Sequence, residues 1–386
     1  MKRFLSVLLV AVFAVTLGFA QELKLDGYVN SGLGLRIVND DDVNPTLRVF
    51  GVDSEQFGGR FRFNGSYTNA DKNIGANFRL QLQGNDIQNR SFGPSYAYGW
   101  FRPIEMLQIK AGIVDDSTWE TGGVWLKDDQ GEGAGILLRL TPMEGLDVGF
   151  GAYTHSQGGS SGNNLIAPGE PQNWWDAKYT FMASYLMKDV FKINVSGRNF
   201  NTTTSNTSAQ VIGELRLLMV ENLTAIIEIQ LDGLWNRTDE FDAFNNTGKF
   251  NIYETIAYSM DDLKFGLNAG QYFNNAPGKD DVCLVFSPWV SYAMAEGKIV
   301  PRLDGAFYLG GALNSSGNYD RRNEYKADNT AQYDSDYKLI GVRPSIKFFM
   351  DSRNSLEIGD AFYYSKVGDA DADIANIFYL DFVFRF

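Results

Sequence analysis

The densest concentration of chemically active side chains in this sequence is an acidic segment that ends at Gly133. Between Asp115 and Gly133, six carboxylates stand against a single cation, Lys127. A negative cluster of this density attracts cations and repels anions, most strongly in a narrow passage where water screens it little. An ordinary solvated surface loop is the alternative interpretation, because charged runs are usually found on surfaces.

Catalysis and metal binding have little support in the sequence. His155 is the single histidine, and no nucleophile or carboxylate motif lies beside it. The segment Asp369–Asp373 begins like a calcium loop, but Ile374 and Leu380 stand where such a loop needs Gly and Glu. We therefore expect no catalytic residue, no metal site and no cofactor, so the protein is not expected to be an enzyme.

The elements that would position the charged side chains are most clearly seen at the C-terminus. Residues 376–386 read NIFYLDFVFRF. Successive residues of a strand point to opposite faces, so one face is apolar and largely aromatic while the other carries charge. This ending resembles the assembly signal of bacterial outer-membrane β-barrels, a terminal strand of alternating apolar residues that ends in Phe. The resemblance assigns that role to Phe382, Phe384 and Phe386.

The N-terminus predicts export. A short basic region, Lys2-Arg3, precedes an apolar run that ends at Leu17, and the small residues Gly18 and Ala20 then occupy the −3 and −1 positions of a cleavage site. This pattern is typical of a secretory signal peptide cleaved after Ala20. Residues 1–20 are therefore predicted to be removed, leaving residues 21–386 as an outer-membrane β-barrel. The residue directly after the predicted cleavage position is Gln21 and not Cys, which argues against a lipid anchor of the lipoprotein type.

The composition suits a membrane barrel better than a soluble secreted domain. Aromatic residues make up 14% of the chain, while the mean hydropathy is only −0.23. Barrel strands expose only alternate residues to lipid, so their average hydropathy is unremarkable. The formal net charge is −13, which disfavours nucleic acid as a partner. A single Cys, Cys283, excludes an intrachain disulfide.

Strand candidates of about ten residues recur along the whole chain, joined alternately by short and long connections. The long polar stretches are 39–57, 115–133, 155–176, 236–248 and 312–335. This asymmetry is typical of outer-membrane barrels. The predicted fold is all-β: a transmembrane antiparallel up-and-down β-barrel of about 18 strands, with 16 as an open alternative. Its short turns are expected in the periplasm and its long loops outside the cell.

The residues predicted to face the interior are polar on almost every strand. By alternation they are Arg60, Arg62, Asn77, Arg79, Gln81, Lys110, Arg139, Lys178, Lys192, Arg198, Glu214, Arg216, Glu228, Gln230, Asp232, Lys264, Arg302, Asp304, Glu357 and Arg385. A barrel of 16–18 strands is wide enough to hold water. The polar lining therefore predicts an aqueous channel. No separate plug domain fits, because the alternation begins at Lys24.

In its architecture the whole mature chain resembles the general porins of bacteria. The resemblance is to the class as a whole, and it does not rest on a specific internal sequence motif. The resemblance implies a water-filled diffusion channel for small hydrophilic solutes and ions. In general porins the third long loop folds into the lumen and faces a row of basic wall residues. The resemblance gives as constriction-loop candidates Asp115, Asp116, Glu120, Asp128 and Asp129. It gives as basic wall candidates Arg60, Arg62 and Arg79. Opposed charges across a narrow gap would screen solutes by charge and dipole.

The acidic excess predicts a mild preference for cations. The expected partners are outer-membrane lipid, the barrel-assembly machinery and small hydrophilic solutes, and both a homotrimer and a monomer are compatible with the sequence. Two other functions stay open. One is a surface adhesin or structural barrel without a channel. The other is a transporter of hydrophobic molecules, which is disfavoured because its known examples carry an amino-terminal plug.

Overall fold

In the computed structural model, the described residues are almost entirely in β-strands. The described residues are 20–38, 46–50, 60–83, 91–114, 133–153, 178–198, 210–232, 250–273, 282–309, 337–369 and 371–386. None of these residues belongs to a helix that is long and apolar enough to cross a membrane.

Nineteen strands form one sheet across the described ranges. They are β1 (Ala20–Val38), β2 (Thr46–Phe50), β3 (Arg60–Asn69), β4 (Ile74–Gln83), β5 (Ser91–Ile104), β6 (Leu107–Val114), β7 (Gly133–Met143), β8 (Leu146–Tyr153), β9 (Lys178–Met187), β10 (Phe191–Arg198), β11 (Gln210–Leu217), β12 (Leu223–Asp232), β13 (Phe250–Met260), β14 (Leu263–Phe273), β15 (Val282–Tyr292), β16 (Ile299–Leu309), β17 (Tyr337–Phe349), β18 (Ser355–Val367) and β19 (Asp373–Arg385).

The sheet closes on itself as an antiparallel barrel. From β3 onward each strand pairs with the next one along the chain, and β19 pairs with β1 from Tyr28↔Arg385 to Val38↔Ala375. Closure gives each strand from β3 to β19 two hydrogen-bonded neighbours. It therefore removes the unpaired edges that could not be satisfied in lipid.

Two of the nineteen strands share one position in the wall. The edge of β1 that does not face β19 pairs with β3 along residues 20–30 and with β2 along residues 32–36. Because β2 and β3 lie one after the other on the same edge, the closed barrel has 18 strand positions. The prediction of an 18-strand antiparallel barrel is confirmed.

Side chains alternate between an outer apolar surface and an inner polar one. On β19, Phe378 is 45% exposed while its neighbour Tyr379 is 2% exposed. Ile256 and Ile340 are likewise more than half exposed on the outer surface. Isoleucine and phenylalanine side chains in this position would be costly in water, but they suit contact with hydrocarbon. The outer surface is therefore the one that fits lipid.

The two ends of the barrel differ as the sequence predicts. At one end the connections from β3–β4 to β17–β18 have only two to six residues. At the other end the strands are separated by five to 27 residues. Asn222 and Asp261, in two of the short turns, adopt positive φ of 63° and 50°. Asn and Asp tolerate this left-handed conformation better than other non-glycine residues, which favours tight reversals here.

Candidate functional site

The inward face of the wall is the candidate functional site, because it carries most of the charged groups of the strands. Among strand residues whose side chains the structure describes, 13 Lys and Arg and eight Asp and Glu lie on inward rows. Every member of the predicted inward set whose side chain is described lies on an inward row. A wall of this polarity can hold water and dissolved ions against it.

A row of cations runs from β3 to β7, with one member on each of β3, β4, β6 and β7. We call it the basic row, and its members are Arg62, Arg79, Lys110 and Arg139. Neutral amides orient the first two members. Arg62 Nε donates to Gln81 Oε1 at 2.6 Å, and Arg79 Nε donates to Asn64 Oδ1 at 3.0 Å. The Arg79 guanidinium carbon also lies 4.7 Å from the centroid of the Tyr96 ring. In the described part of the chain no carboxylate forms an ion pair with Arg79, so these contacts fix its position without cancelling its charge.

The other two members of the basic row have different surroundings. Lys110 is buried, and its Nζ lies 5.6 Å from the centroid of the Tyr98 ring, a distance at which a cation and an aromatic face attract. Arg139 forms a two-point ion pair with Asp147, through Nη2–Oδ2 at 2.8 Å and Nε–Oδ1 at 3.1 Å. Thr141 Oγ1 also donates to Asp147 at 2.6 Å. The positive charge of the row is therefore partly compensated at its β7 end.

The most compact ionic cluster lies on β16 and β17. The Asp304 side chain is 1% exposed and accepts from Arg302 Nη2 at 2.7 Å and from Arg343 Nη2 at 3.1 Å. The Arg302 guanidinium carbon lies 4.5 Å from the centroid of the Trp289 ring. Removing one partner of a buried ion pair is strongly destabilising, and this cluster joins β16 to β17 where Asp304 and Arg343 are register partners.

A second inward network crosses β17, β18 and β19. The Tyr379 hydroxyl donates to Glu357 Oε1 at 3.0 Å, and Lys347 Nζ lies 3.4 Å from Glu357 Oε2. These contacts link three neighbouring strands beside the point where the barrel closes.

Buried polar groups also link β9, β10 and β11. Ser184 Oγ donates to Asn194 Oδ1 at 2.6 Å, and Asn194 Nδ2 donates to Glu214 Oε1 at 2.8 Å. Arg216 Nη2 lies 3.5 Å from the other Glu214 oxygen. Glu214 stands directly opposite Glu228 in the register of β11 and β12. The inward wall thus holds its polar side chains in fixed networks.

An inward apolar cluster was not predicted from the sequence. It consists of Tyr98, Val114, Leu137 and Met182, all 9% exposed or less. These residues occupy the inward rows of β5, β6, β7 and β9. Apolar residues fill both rows in parts of β7, where the sequence reads ILLRL, so alternation gave no clear signal there. The wall is therefore less uniformly polar than the sequence suggested.

The structure describes some of the predicted site residues, and the others lie outside the described part of the chain. Arg62 and Arg79 lie on inward rows of neighbouring strands, and the Arg60 side chain lies outside the described part. The carboxylates Asp115, Asp116, Glu120, Asp128 and Asp129 also lie outside the described residues, as does His155.

Phe384 and Phe386 are about half exposed on the outer surface, and the rings of Phe382 and Phe384 are stacked with centroids 6.4 Å apart. Among the described residues no group of three or more His, Cys, Asp or Glu could hold a metal ion.

Solved structures share this fold over nearly the whole chain. OprD of Pseudomonas aeruginosa is 13% identical, with a TM-score of 0.54 and 96% of each chain covered. OccAB4 of Acinetobacter baumannii is 10% identical, with a TM-score of 0.56, covering 95% of this chain and 99% of that one. OccK2 (OpdF) of P. aeruginosa, solved in complex with glucuronate, is 10% identical, with a TM-score of 0.58 and the same coverage.

At these identities the likeness concerns the fold. No protein-family model matches the chain, and no curated protein matches it. The chain has the closed 18-strand antiparallel barrel of the outer-membrane OprD and Occ porins, and in this architecture it resembles the general porins as well.

Proposed function

We propose that this protein is an outer-membrane porin, a water-filled diffusion channel for small hydrophilic solutes and ions. The observation that carries the proposal is the division of one closed 18-strand wall into an apolar outer surface and a charged inner surface. A barrel of this size leaves room for water inside, and the inner surface offers water and ions polar partners on most strands. The proposal includes removal of residues 1–20 during export, and it includes no catalytic role.

Planar-bilayer recording of the refolded mature protein tests this function. A porin gives discrete open steps whose size grows with the salt concentration. A surface adhesin or structural barrel gives no steps. A transporter of hydrophobic molecules would give none either, while a hydrophobic solute would bind the protein.

We further propose a mild preference for cations, set by the connections between strands. The described ranges hold 24 of the 34 basic residues but only 23 of the 47 acidic residues. The acidic excess of the chain therefore belongs to segments outside the described ranges, and 115–132 contributes most to it. The reversal potential in a salt gradient measures the preference, and anion selectivity would show that the basic row dominates.

The connection 115–132 is our candidate for a constriction inside the lumen. The apolar cluster supports this proposal, because it marks a place on the polar inward wall where apolar side chains of an adjoining segment can pack. Val114 belongs to the cluster and immediately precedes the connection, and Val114 pairs with Gly133, which follows it. The segment also carries Trp119 and Trp125, which could cover apolar surface while its carboxylates face the basic row.

A second candidate solute class is favoured by the basic row itself. The basic row has one cation on each of β3, β4, β6 and β7, and Arg79 is held by neutral partners, which suits a small carboxylate moving along the wall. The OccK2 structure was solved with glucuronate, a carboxylate. Reduction of the single-channel current by glucuronate, weakened in Arg79→Gln, would support this class. A current unaffected by glucuronate would exclude it as a bound solute.

A further inference from the structure

The outer surface of the barrel carries little charge, and the exceptions are informative. Among strand residues whose side chains the structure describes, only Lys338 and Lys366 place a basic group on an outward row. The outward row of β17 continues with Ile340 and Val342, which are 55% and 42% exposed. Two ammonium groups therefore stand on a surface that is largely apolar.

The two lysines face each other across neighbouring strands. Lys338 and Lys366 are direct partners in the register of β17 and β18, and we call them the lysine pair. In the described part of the chain neither side chain forms an ion pair or a hydrogen bond. Like charges directly opposite each other destabilise a sheet. An anion between them would turn this repulsion into attraction.

The lysine pair lies at the level expected for lipid headgroups. Lys338 is next to the first residue of β17, at the barrel end with the long connections, and Phe348 lies ten positions further along the same row. At about 3.3 Å per residue and a tilt of about 40°, this distance is about 25 Å along the barrel axis. That is about the height of the apolar band of a membrane barrel. Tyr364, 40% exposed on the same outward row as Lys366, is placed like a residue of the interface girdle.

We propose that the lysine pair binds the phosphate group of an anionic membrane lipid, in the leaflet at the end with the long connections. Two ammonium groups can donate to different oxygens of one phosphate, and the apolar rows below them can hold the acyl chains. The proposal rests on the proposed membrane location of the barrel. It adds a specific lipid contact that the channel function does not require.

Native mass spectrometry of the refolded mature protein, released from nanodiscs, tests the proposal. The nanodiscs contain phosphatidylcholine with a minor share of phosphatidic acid. We expect the wild type to retain one phosphatidic acid in preference to phosphatidylcholine. Removing both charges in a Lys338→Gln, Lys366→Gln double variant should reduce this preference about tenfold or more. A double variant that retains the wild-type preference would overturn the proposal.

Three controls sharpen the result. The variant Lys338→Arg, Lys366→Arg keeps both charges and should keep the preference. The variant Lys188→Gln, Lys298→Gln removes two exposed charges from short turns at the opposite end and should also keep it. If the latter lost the preference equally, net charge and not the lysine pair would account for the binding. Excess inorganic phosphate should not displace the lipid, and displacement would identify a site for a free anion instead.

The channel function is tested separately in pure phosphatidylcholine bilayers. There the wild type and the Lys338→Gln, Lys366→Gln variant should conduct equally. Equal conductance without any lipid preference would refute the lipid site alone. Lipid preference without conductance in either protein would refute the channel function and leave the lipid site standing.

Discussion

The C-terminal residue Phe386 closes the barrel on Gly27. The Phe386 N–H donates to the Gly27 carbonyl oxygen and the Gly27 N–H donates to the Phe386 carbonyl oxygen, each at 3.0 Å. The Phe386 ring also covers Gly27, since a Cβ added there would lie 2.6 Å from the ring carbon Cζ. Gly27 therefore leaves the space in which the last aromatic side chain of the chain packs against the first strand.

Replacing Gly27 with Ala should destabilise the folded barrel. The added methyl group would also lie 2.6 Å from the Arg62 carbonyl oxygen, which the strand pairing prevents from moving away. Overpacking of this kind costs about 1–3 kcal/mol, measurable by urea titration in neutral vesicles. Gly213→Ala is the matched control, because nothing lies within 4 Å of its added Cβ. Equal stability of the two variants would contradict the close contact at Gly27.

Deleting Phe386 should impair insertion into the outer membrane. The deletion removes both closing hydrogen bonds and the last residue of the outward aromatic row. The measurement is the amount of heat-modifiable, membrane-inserted protein in cells, compared with Phe386→Tyr, which keeps an aromatic ending. Normal amounts of inserted protein from the deletion would argue against an assembly signal at Phe382, Phe384 and Phe386.

Replacing Asp304 with Asn should destabilise the wall where β16 meets β17. The asparagine amide is neutral, so Arg302 and Arg343 would face each other without the carboxylate that holds them. Breaking a buried ion pair costs about 3 kcal/mol, and the free energy of unfolding in vesicles measures it. Asp261→Asn, in an exposed turn, serves as the control and should have little effect. A similarly small effect at Asp304 would mean that water in the lumen replaces the lost partner.

Much of the fold could be predicted because its signal is local. Alternation alone places Phe378 on the outer face of the barrel and Tyr379 on the inner face, whichever strands pair with their own. The same rule placed Arg62 and Arg79 on inward rows. The count of 18 positions followed from the regular succession of strands and connections. The interruption between β2 and β3 was not predicted, because it depends on two segments sharing the edge of β1.

The partners of the inward side chains could not be predicted, because they depend on register. Asp304 meets Arg343 only through the pairing of β16 with β17, and 27 residues of connection separate these strands. The lysine pair was missed for the same reason. Each lysine is unremarkable in sequence, and only the register brings Lys338 opposite Lys366.

Removing the carboxylates Asp115, Asp116, Glu120, Asp128 and Asp129 should shift the selectivity toward anions. If 115–132 narrows the lumen, these charges act through a lower effective dielectric than charges at the mouth, and the shift should largely survive at high salt. Deletion of the segment should also raise the conductance. Neutralising Arg62 and Arg79 in the carboxylate-free variant should partly restore the original selectivity.

An external position of 115–132 predicts a different pattern. Its charges would then act only over a Debye length of about 10 Å at 0.1 M salt. The shift in reversal potential would fade as the salt concentration rises, and deletion of the segment would leave the conductance unchanged. That pattern would make 115–132 an ordinary surface loop.

The central claim is that the charged inner surface of this 18-strand wall encloses a continuous aqueous path. Single-channel recording of the refolded mature protein in a neutral planar bilayer tests it most directly. We predict discrete open steps with a conductance that rises with salt and a reversal potential that reports mild cation selectivity. Folded, inserted protein that gives no conducting steps at any salt concentration would contradict the claim.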